Sequence, residues 1–399
     1  MNQKNKVILY LVSWYPDEEE PNLGIFIKRH AESVSQYCEI IVLYTAYKPS
    51  ISTKVKKYCY ENNIHTYRQF LPIILENYKA IRFIKCRFIN RYIYHIIFFI
   101  NNYKIYSEII NYHGKPDLIH VNVICTDMTN VGLFALFIKF IYKIPYIITE
   151  HDTRYLISQI NFSQRIILRI IMKFSSRVIT ISNVLKNALM KLHKSKFTII
   201  PNVVDTNFFI INKSNFITDR KVLLHVSLLN DEQKNISGIL RSVQKLRLIR
   251  KDFELKIIGE GKDLNKLKSL AANIQNNDEY IYFLGNVTNN QLVKLYQQSD
   301  LFILNSNFET FGCVLIEAIA CGTPVISTRC GGPEEIITVN NGLLIDVNND
   351  DQLTKSIDWV LNNQDFFDKN KMRSDCEIRY SYKSVGQKLS KIYYNILDN

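Results

Sequence analysis

Short apolar runs alternate with stretches of helical period along most of this chain. The first series of runs comprises Val7–Val12, Glu39–Tyr44, Leu118–Asn122, Tyr146–Thr149, Val178–Ser182 and Phe197–Ile200. The second comprises Val222–Val226, Glu254–Ile258, Ile281–Leu284, Leu301–Leu304, Pro324–Thr328 and Gly342–Ile345. A helix is predicted near Gly24–Gln36, between the first two runs. Because strands that alternate with helices pair in parallel, the pattern predicts an α/β fold with doubly wound parallel sheets.

The two series are separated by Pro201–Ile217, a turn-rich stretch without helical period. We therefore predict a Rossmann-like domain over residues 1–203 and a second one over residues 204–380, facing each other across a cleft. A length of 399 residues agrees with two domains. The final stretch, Tyr380–Leu397, has a helical pattern.

The stretch Asn305–Pro333 carries the densest set of candidate functional residues. Glu309 lies in a loop after the run Leu301–Leu304, and Gly312 precedes a short apolar helix that carries Glu317. The first N–H groups of that helix and its dipole would form an anion site, suited to a diphosphate. Ionised carboxylates accept hydrogen bonds from the diols of sugars. On spacing alone, a buried strand–helix–strand unit with two solvated glutamates is the alternative.

The pattern of Glu309 and Glu317, with Phe311-Gly312 between them, resembles the E-x7-E signature of retaining glycosyltransferase family 4, which has the GT-B fold. Residues 318–335 are similar to that family's continuation. The resemblance implies that Glu309 is catalytic and holds the transferred sugar, and that Glu317 binds the ribose diol. It implies donor contacts from the helix start, at Phe311, Gly312, Cys313 and Val314. It also implies that the terminal helix, residues 381–399, crosses back onto the N-terminal domain.

Two further motifs lie in the N-terminal half. Thr149-Glu150-His151-Asp152 places polar residues at a strand's carboxyl end, where open α/β sheets bind ligands. It resembles the family's T-E-H motif, which implies that His151 contacts the sugar and helps organise the reaction centre. Gly24 matches the glycine of the family's N-terminal loop, where bare backbone can approach a phosphate. The alternatives are a structural histidine and a helix-opening glycine. Glu150 and Asp152 are weaker candidates, to orient the ring or to meet an acceptor hydroxyl.

The C-terminal half holds the other candidates for donor binding. Lys234 matches the family's phosphate-binding lysine, but Leu228 stands where the family usually has an arginine. One cation is therefore missing from the diphosphate site, unless Arg329 or a backbone donor replaces it. The backbone near Val287 resembles the turn that binds the nucleobase edge. Gly259-Glu260-Gly261 follows a strand, and an ordinary βα turn is its simplest interpretation.

The composition narrows the class of protein without selecting a function. The formal charge is +13, from 50 Lys and Arg against 37 Asp and Glu, which favours an anionic partner. No helix-turn-helix, zinc module or RNA-binding aromatic sheet is visible, so nucleic acid is not the expected partner. The eight cysteines form no CxxC pair, and a reduced cytosol is the simplest setting. We expect no metal or other cofactor. The apolar runs predict neither a signal peptide nor a membrane-spanning helix.

Two basic segments suggest a surface for anionic lipid. Lys79–Lys104 interleaves cations with aromatic residues and contains no acidic residue. Further on, Arg165, Arg169, Lys173 and Arg177 recur every four residues, and isoleucines at 166, 167, 170 and 171 are expected opposite them on an amphipathic helix. The hypothesis is peripheral contact with the inner face of the plasma membrane. Ordinary core helices with solvated cations are the alternative.

Together these observations predict a cytoplasmic retaining glycosyltransferase. The expected donor is a nucleotide diphosphate sugar, UDP in preference to GDP, and the expected acceptor is a glycan or lipid-linked hydroxyl in bacterial surface polysaccharide or lipopolysaccharide synthesis. A sugar-nucleotide epimerase of GT-B fold, or a non-catalytic sugar-nucleotide-binding protein, is the alternative that Leu228 keeps open.

Overall fold

The computed structural model describes residues 6–73, 87–212, 220–276 and 278–398, and of residues 87–92 it describes the backbone alone. The chain divides into two compact units. One comprises Met1–Val203 with Val385–Asn399, and the other comprises Val204–Ser384. Each unit has its own largely parallel sheet and its own helices. The prediction of two Rossmann-like α/β domains is therefore confirmed.

The sheet of the first unit has eight strands. They are β1 (Val7–Val12), β2 (Glu39–Lys48), β3 (Val55–Glu61), β4 (Ile64–Pro72), β5 (Leu118–Asn122), β6 (Tyr146–Glu150), β7 (Arg177–Thr180) and β8 (Phe197–Ile199). Their order is β3-β4-β2-β1-β5-β6-β7-β8. All pairs are parallel except β3 with β4. Strands β1, β5 and β6 are buried along their whole length, as expected of parallel strands covered on both faces.

The antiparallel hairpin β3–β4 is a feature that the apolar pattern does not predict. Its turn is Asn62-Asn63, and both residues have positive φ, 51° and 61°, as a type I′ turn requires. β3 is an edge strand with mostly exposed side chains, among them Lys56 and Lys57. An exposed strand needs no apolar face, so its sequence carries no apolar run.

In the described residues of the first unit up to Val203, the structure has five α-helices. They are α1 (Ile25–Val34), α2 (Arg87–His113), α3 (Val131–Tyr142), α4 (Phe162–Phe174) and α5 (Asn183–Met190). The helix predicted near Gly24–Gln36 corresponds to α1. α4 begins at a capping box, in which Asn161 accepts from the backbone N–H of Gln164 and the Gln164 side chain accepts from the N–H of Asn161.

The second unit has a six-stranded parallel sheet. Its strands are β9 (Lys221–Val226), β10 (Phe253–Ile258), β11 (Ile281–Gly285), β12 (Leu301–Leu304), β13 (Val325–Thr328) and β14 (Gly342–Ile345). Its helices are α6 (Asp231–Lys234), α7 (Ile236–Arg247), α8 (Leu264–Gln275), α9 (Asn289–Gln298), α10 (Cys313–Ala320), α11 (Asp350–Asn362) and α12 (Lys369–Tyr380). The strand order is β11-β10-β9-β12-β13-β14, so the order reverses between β9 and β12. This is the strand order of a dinucleotide-binding Rossmann sheet.

The last helix, α13 (Tyr382–Leu397), starts in the second unit, and its residues from Val385 onward belong to the first. The buried Tyr393 hydroxyl lies 2.7 Å from the Tyr10 hydroxyl and 2.7 Å from Nδ1 of His120. A Cβ on Gly386 would lie 1.9 Å from the Ser33 carbonyl oxygen of α1, so only glycine permits this close approach. These contacts fix the last helix against α1 and the centre of the first sheet.

The structure corrects the predicted cationic helix. Arg177 lies in β7, outside α4, so the cations of this helix are Arg165, Arg169 and Lys173. The isoleucines do not share one opposite face, because Ile171 is buried while Ile166 and Ile170 are exposed beside the cations.

Much of the other basic segment falls outside the described residues, including Lys79, Arg82, Phe83 and Lys85. None of the helices that the structure describes combines the length and the hydropathy that a bilayer crossing needs.

Candidate functional site

The second unit brings two of the predicted site residues together where its strand order reverses. Lys234 ends the short helix that follows β9, and Glu309 lies in the loop that follows β12. These strands are neighbours, and helices lead away from them toward opposite edges of the sheet. Ligands of open α/β sheets bind beyond the carboxyl ends of the strands at such a point. The topology thus supplies the position, and the two loops supply the chemistry.

Hydrogen bonds between the two loops fix Lys234 next to Glu309. The Asn307 backbone N–H donates to the Gln233 carbonyl oxygen at 2.7 Å, and the Asn307 side-chain amide donates to the Glu232 carbonyl oxygen at 2.8 Å. The Asn305 side-chain amide donates to the Asn235 carbonyl oxygen at 3.2 Å. The short helix α6 is therefore held by the loop after β12 on both sides of Lys234.

Lys234 and Glu309 form a hydrogen-bonded ion pair between Nζ and Oε1. The Ser306 hydroxyl donates to the same carboxylate oxygen at 2.9 Å. The pair is largely removed from water, since the Lys234 side chain is 16% exposed and the Glu309 side chain 8%. A carboxylate held by an ammonium and a hydroxyl has a fixed orientation, which suits it to binding sugar hydroxyls.

Helix α10 begins next to this pair without a side-chain cap. Gly312 precedes it with φ of 101°, a left-handed conformation that favours glycine, and makes no side-chain cap hydrogen bond. Gly312, Cys313 and Val314 are half-buried, whereas the helix from Leu315 onward is buried. The first N–H groups of a helix have no partner within it, so this start is suited to an anion. Phe311 is buried in a different way, with its ring against Tyr380.

A glycine pair holds the loop of Glu309 in place from the other side. The Glu309 backbone N–H donates to the Cys330 carbonyl oxygen at 3.1 Å, and the Gly332 N–H donates to the Glu309 carbonyl oxygen at 2.9 Å. A Cβ on Gly332 would lie 2.3 Å from the Phe311 Cα. The segment of Gly331-Gly332 therefore passes so close to the loop that no side chain fits between them.

Glu317 is buried on α10 and accepts a hydrogen bond from the Tyr296 hydroxyl of α9, with 3.2 Å to Oε2. The sequence analysis did not identify Tyr296. A ribose bound to Glu317 would share its carboxylate with this hydroxyl.

The remaining donor-site candidates lie on loops of the second unit. Val287 is half-buried in the connection between β11 and α9. Leu228, where the family usually has an arginine, is 67% exposed. Arg329 has a partner of its own, Asp346, at 3.9 Å, and its side chain is half exposed. Among the contacts of the described residues, neither position therefore places a second cation beside Lys234.

The glycines of Gly259-Glu260-Gly261 have a steric role. A Cβ on Gly259 would lie 1.9 Å from the Ser227 carbonyl oxygen, and one on Gly261 would lie 2.5 Å from that of Leu229. They let the loop after β10 pack against the loop that leads to Lys234. The segment is thus part of the connection between β10 and α8, as its simplest interpretation predicts, whereas Ser306 is not among the predicted site residues. The signal for Ser306 is its place two residues after the end of β12, at the carboxyl end of a strand.

In the first unit, Glu150 organises the backbone around His151. Its Oε1 accepts from the N–H groups of His151 and Asp152 at 2.9 and 3.1 Å, and its Oε2 accepts from the Ile124 N–H and the Tyr155 hydroxyl at 3.1 and 3.2 Å. Burial and the neighbouring Asp152 raise the pKa of Glu150 to about 7, although its backbone hydrogen bonds oppose the shift. The carboxylate is thus committed to the loop.

Asp152 is hydrogen-bonded and ion-paired to Arg154. It accepts from the Arg154 backbone N–H at 2.8 Å and forms an ion pair with the guanidinium at 2.6 Å. Arg154 in turn donates to the Cys125 carbonyl oxygen at 2.7 Å. The hydrogen bonds of the described residues therefore give neither Asp152 nor Glu150 a contact with the His151 ring.

His151 is buried between aromatic rings and has hydrogen-bonding capacity left. Its ring centroid lies 4.5 Å from that of Phe26 and 5.6 Å from that of His30. Within the described residues, neither ring nitrogen has a partner in hydrogen-bond geometry. Burial, with help from His30 and His120, holds the pKa of His151 well below its usual value, and the Asn202 side chain opposes this shift. A neutral, buried imidazole that interacts with Asn202 without a well-formed hydrogen bond is a candidate ligand contact, because buried polar groups are normally hydrogen-bonded.

Gly24 starts the helix that carries Phe26 and His30. Its φ is 68°, and a Cβ there would lie 2.6 Å from the Trp14 carbonyl carbon. Glycine is therefore required by the backbone of Trp14 as well as by the left-handed conformation. Phe26, two residues after Gly24, packs against His151, so the start of α1 and the loop of His151 lie together in the first unit.

The strand-order reversal of the second unit brings together an acid, a lysine and a helix start without a side-chain cap, a combination suited to an anionic ligand that carries hydroxyls. Residues 54–208 match the family described as Glycosyltransferase Family 4, and residues 207–379 match the family described as Glycosyl transferases group 1. The chain belongs to this group 1 and family 4 class of glycosyltransferases, and it is an enzyme of that class.

Individual proteins agree with this assignment. The chain is 27% identical over 305 residues to an uncharacterized glycosyltransferase of Methanocaldococcus jannaschii, a match that covers 76% of this chain and 82% of the relative. Sucrose-phosphate synthase from Thermosynechococcus elongatus superposes with a TM-score of 0.76 at 16% identity, covering 98% of this chain and all of that one. HepE of Anabaena, in complex with UDP and glucose, superposes with a TM-score of 0.70 at 15% identity and covers 98% and 100%. These structural likenesses establish the GT-B fold.

Proposed function

We propose that the protein is a retaining glycosyltransferase that moves a hexose from a nucleotide diphosphate sugar, with UDP favoured over GDP, to a hydroxyl of a glycan or lipid-linked acceptor in bacterial surface polysaccharide or lipopolysaccharide synthesis. The observation that carries the proposal is the Lys234–Glu309 pair beside the uncapped start of α10. A donor presents a diphosphate and sugar hydroxyls at adjacent positions. The site presents a cation, backbone N–H groups and an oriented carboxylate at adjacent positions.

The donor would bind with its diphosphate on the start of α10, at Gly312–Val314, and on the Lys234 ammonium. These groups stabilise the charge that develops on the diphosphate as it departs. Glu309 would hold the sugar through hydroxyls across the ring from the reacting carbon. Glu317 would bind the ribose together with Tyr296, and the backbone near Val287 would bind the base.

The transfer would proceed on one face of the sugar. The bond from the anomeric carbon to the phosphate oxygen breaks, and its electron pair stays on that oxygen. The acceptor oxygen forms the new bond on the same face, and its proton passes to the departing phosphate. No metal takes part in this scheme. His151 and Gly24 lie in the first unit, and their assignment to a sugar and to a phosphate rests on the motif resemblance alone.

Calorimetric titration of the full chain with UDP-, GDP-, ADP- and dTDP-sugars tests the donor. We expect a UDP-sugar to bind and to stabilise the protein by about 2.7 kcal/mol at a hundredfold excess over Kd. We expect Lys234→Met to weaken this binding and Lys268→Met, an exposed lysine on α8, to leave it unchanged. The anomeric configuration of the product, determined by NMR, tests retention. Absence of heat with every donor would defeat the proposal.

The exposed Leu228 favours a second candidate function. With Lys234 as the cation beside the diphosphate, stabilisation of the leaving group would be weaker, as suits an epimerase or a non-catalytic sugar-nucleotide-binding protein. Mass spectrometry of reactions with donor and acceptor separates the three functions. A glycosylated acceptor indicates transfer, an epimerised sugar with no acceptor consumed indicates epimerisation, and an unchanged donor that still binds indicates a binding protein.

We further propose that the protein is cytoplasmic and binds peripherally to the inner face of the membrane. The surface of α4 supports this proposal. Phe162 is 77% exposed, and Ile166 and Ile170 are each 42% exposed, on the helix that carries Arg165, Arg169 and Lys173. Exposed apolar side chains among cations fit the interface of an anionic bilayer. This surface would bring the enzyme to a lipid-linked acceptor.

Sedimentation with liposomes tests this surface. We expect binding to anionic vesicles and little binding to neutral ones. Reversal of Arg165, Arg169 and Lys173 to glutamate should release the protein, because each basic residue near such a surface contributes about 1 kcal/mol. Reversal of Lys268, Lys371 and Lys383, exposed residues of the second unit, makes the same change in net charge and serves as the control. Equal binding of both triple variants would overturn the assignment.

A further inference from the structure

A cluster of two histidines and a glutamate lies on the first unit, on different elements from Gly24 and His151. Glu39 begins β2, His65 lies on β4, and His113 ends α2. One ligand atom from each lies within 4.8 Å of the others. His113 Nδ1 is 3.4 Å and His65 Nε2 is 4.0 Å from the same oxygen, Oε1 of Glu39. The two rings are close and steeply inclined, with centroids 4.5 Å apart and planes at 61°.

The outer nitrogen of each ring is bonded to a tyrosine. The Tyr58 hydroxyl lies 2.8 Å from His65 Nδ1, and the Tyr67 hydroxyl lies 2.9 Å from His113 Nε2. A hydroxyl that accepts the proton of the outer nitrogen leaves the lone pair on the inner nitrogen. Metal-ligating histidines are held in this way, because the bond to the outer N–H fixes both tautomer and ring orientation. The inner nitrogens are the two that face Glu39.

We propose that Glu39, His65 and His113 bind a divalent transition metal ion, with Zn²⁺ as the representative, and that a water or an exogenous anion completes the coordination. Two imidazole nitrogens and one carboxylate oxygen form a ligand set that suits tetrahedral Zn²⁺ with one open position. Metal–ligand distances of about 2.0–2.2 Å place tetrahedral ligand atoms about 3.3–3.6 Å apart. His65 Nε2, now 4.0 Å from Glu39 Oε1, must therefore move by roughly half an ångström, and the two nitrogens, which lie within 4.8 Å of each other, must approach by up to about 1.5 Å.

A partly exposed carboxylate at Glu39 leaves a path for the ion to enter the cluster, since that side chain is 37% exposed.

The ion would join the end of α2 to two strands of the sheet. His113 is the last residue of α2, and Glu39 and His65 lie on β2 and β4, which are paired in the sheet. Binding to the folded state alone stabilises the protein by mass action. The proposal therefore assigns the site a stabilising role in the first unit. It is independent of the donor site, and it leaves the expectation of metal-free transfer unchanged.

Equilibrium dialysis of chelator-treated, untagged full chain against Zn²⁺ tests the site. We expect one saturable Zn²⁺ per chain and a raised thermal midpoint. His65→Ala with His113→Ala should abolish binding, and Glu39→Gln, which preserves size, should weaken it at least tenfold. Tyr58→Phe and Tyr67→Phe should each weaken binding about tenfold, since loss of such an outer partner costs 10- to 100-fold in affinity. His193→Ala, outside the cluster, is the control.

Co²⁺ substitution distinguishes this site from adventitious binding to cysteine. We expect visible d–d bands of a nitrogen and oxygen site, without the near-ultraviolet charge transfer of a thiolate ligand, and their loss in the histidine variants. Circular dichroism of each variant establishes that it is folded, and Glu39→Gln keeps the test decisive if the double variant is not. A thiolate spectrum, unchanged stoichiometry in folded variants, or no bound metal would each overturn the proposal.

Discussion

The strand ends of the two units carry similar residues and use them differently. In the second unit, Glu309 pairs with Lys234, and both face the place where a ligand of such a sheet binds. In the first unit, Glu150 is bonded to backbone N–H groups and Asp152 to Arg154, while the nitrogens of His151 have no hydrogen-bond partner within the described residues. The acids of the first unit are therefore hydrogen-bonded within the fold, whereas Glu309 is held by side chains at the strand ends where the donor site is proposed.

Position at a strand end therefore identifies a candidate functional residue but does not assign its role. The partner of each charged group decides the role. A carboxylate that accepts several backbone hydrogen bonds stabilises the fold. A carboxylate held by a lysine and a serine side chain can instead replace part of that hydrogen bonding with hydrogen bonds to a ligand.

The largest effect is expected for Glu309→Gln. The amide retains a hydrogen bond to Ser306 but loses the charge that orients the sugar, so turnover should fall about a hundredfold or more. Donor affinity should fall less than it does for Glu317→Ala. Steady-state kinetics and calorimetric titration of both variants provide the measurement, with Glu279→Gln, an exposed site, as the control. Equal losses of turnover and affinity in both variants would remove the distinction between the two glutamates.

The stability of the first unit at acidic pH should depend on its buried histidines. Burial lowers the pKa of His30 to about 4, although its hydrogen bond to the Pro201 carbonyl oxygen opposes this. Unfolded histidine has a pKa of about 6.5, so between these values the unfolded chain binds more protons and stability falls as pH falls. From pH 6.5 to pH 5, His30 should cost about 1.5 kcal/mol.

Calorimetric unfolding at both pH values, for wild type and His30→Gln, isolates this contribution. The variant should lose less stability on acidification, whereas His193→Gln should behave as wild type. Glu150 acts in the opposite direction, because its pKa of about 7 lies above the unfolded value, so its contribution is lost as pH rises toward 7. Because Glu150 is present in wild type and in both variants, its contribution to the pH dependence of stability cancels when their pH profiles are compared. Parallel pH profiles for wild type and His30→Gln would contradict the expectation.

A smaller effect is expected for Lys234→Met. The variant removes a cation from the proposed diphosphate site and leaves Glu309 with Ser306 alone, so donor affinity should fall about tenfold, or about 1.4 kcal/mol. Calorimetric titration of Lys234→Met, Glu309→Gln and the double variant measures the coupling between the pair. Strict additivity in the double variant would show that the two residues do not act together.

The smallest effect is expected for Asp152→Asn. Its carboxylate is bonded to Arg154, so the change should alter turnover by less than about threefold, the range of a residue that contacts no reacting group. A rate assay at saturating donor provides the measurement, with thermal unfolding to detect loss of the Arg154 contact. A fall comparable with that of Glu309→Gln would place a catalytic acid in both units and end the contrast between them.

The sequence predicted the fold well because parallel strands are buried on both faces and leave apolar runs. Leu118–Asn122, Leu301–Leu304 and Gly342–Ile345 have the bounds that the sequence predicts. The hairpin of β3 and β4 was missed, since an exposed edge strand lacks that signal. Arg177 was placed on a helix because spacing by four continues past the residue at which a helix ends.

The candidate residues of the site could be predicted from the sequence, whereas their hydrogen-bond and ion-pair partners were harder to predict. Glu309, Lys234 and His151 were identified from motifs and strand ends, and their roles stay predictions. The partnership of Lys234 with Glu309 joins residues 75 positions apart, and that of Glu317 with Tyr296 joins two helices. Such contacts depend on the order of strands in the sheet, which local sequence does not encode.

The place of Tyr393 has a consequence for synthesis of the protein. Its hydroxyl meets Tyr10 and His120 in the interior of the first unit, yet it follows them in the chain by 383 and 273 positions. The whole of the second unit, Val204–Ser384, is translated between His120 and Tyr393. The first unit can therefore be completed only after the second has been synthesised. A chain truncated after Val203 would leave the Tyr10 hydroxyl and the His120 ring without this partner in the centre of its sheet.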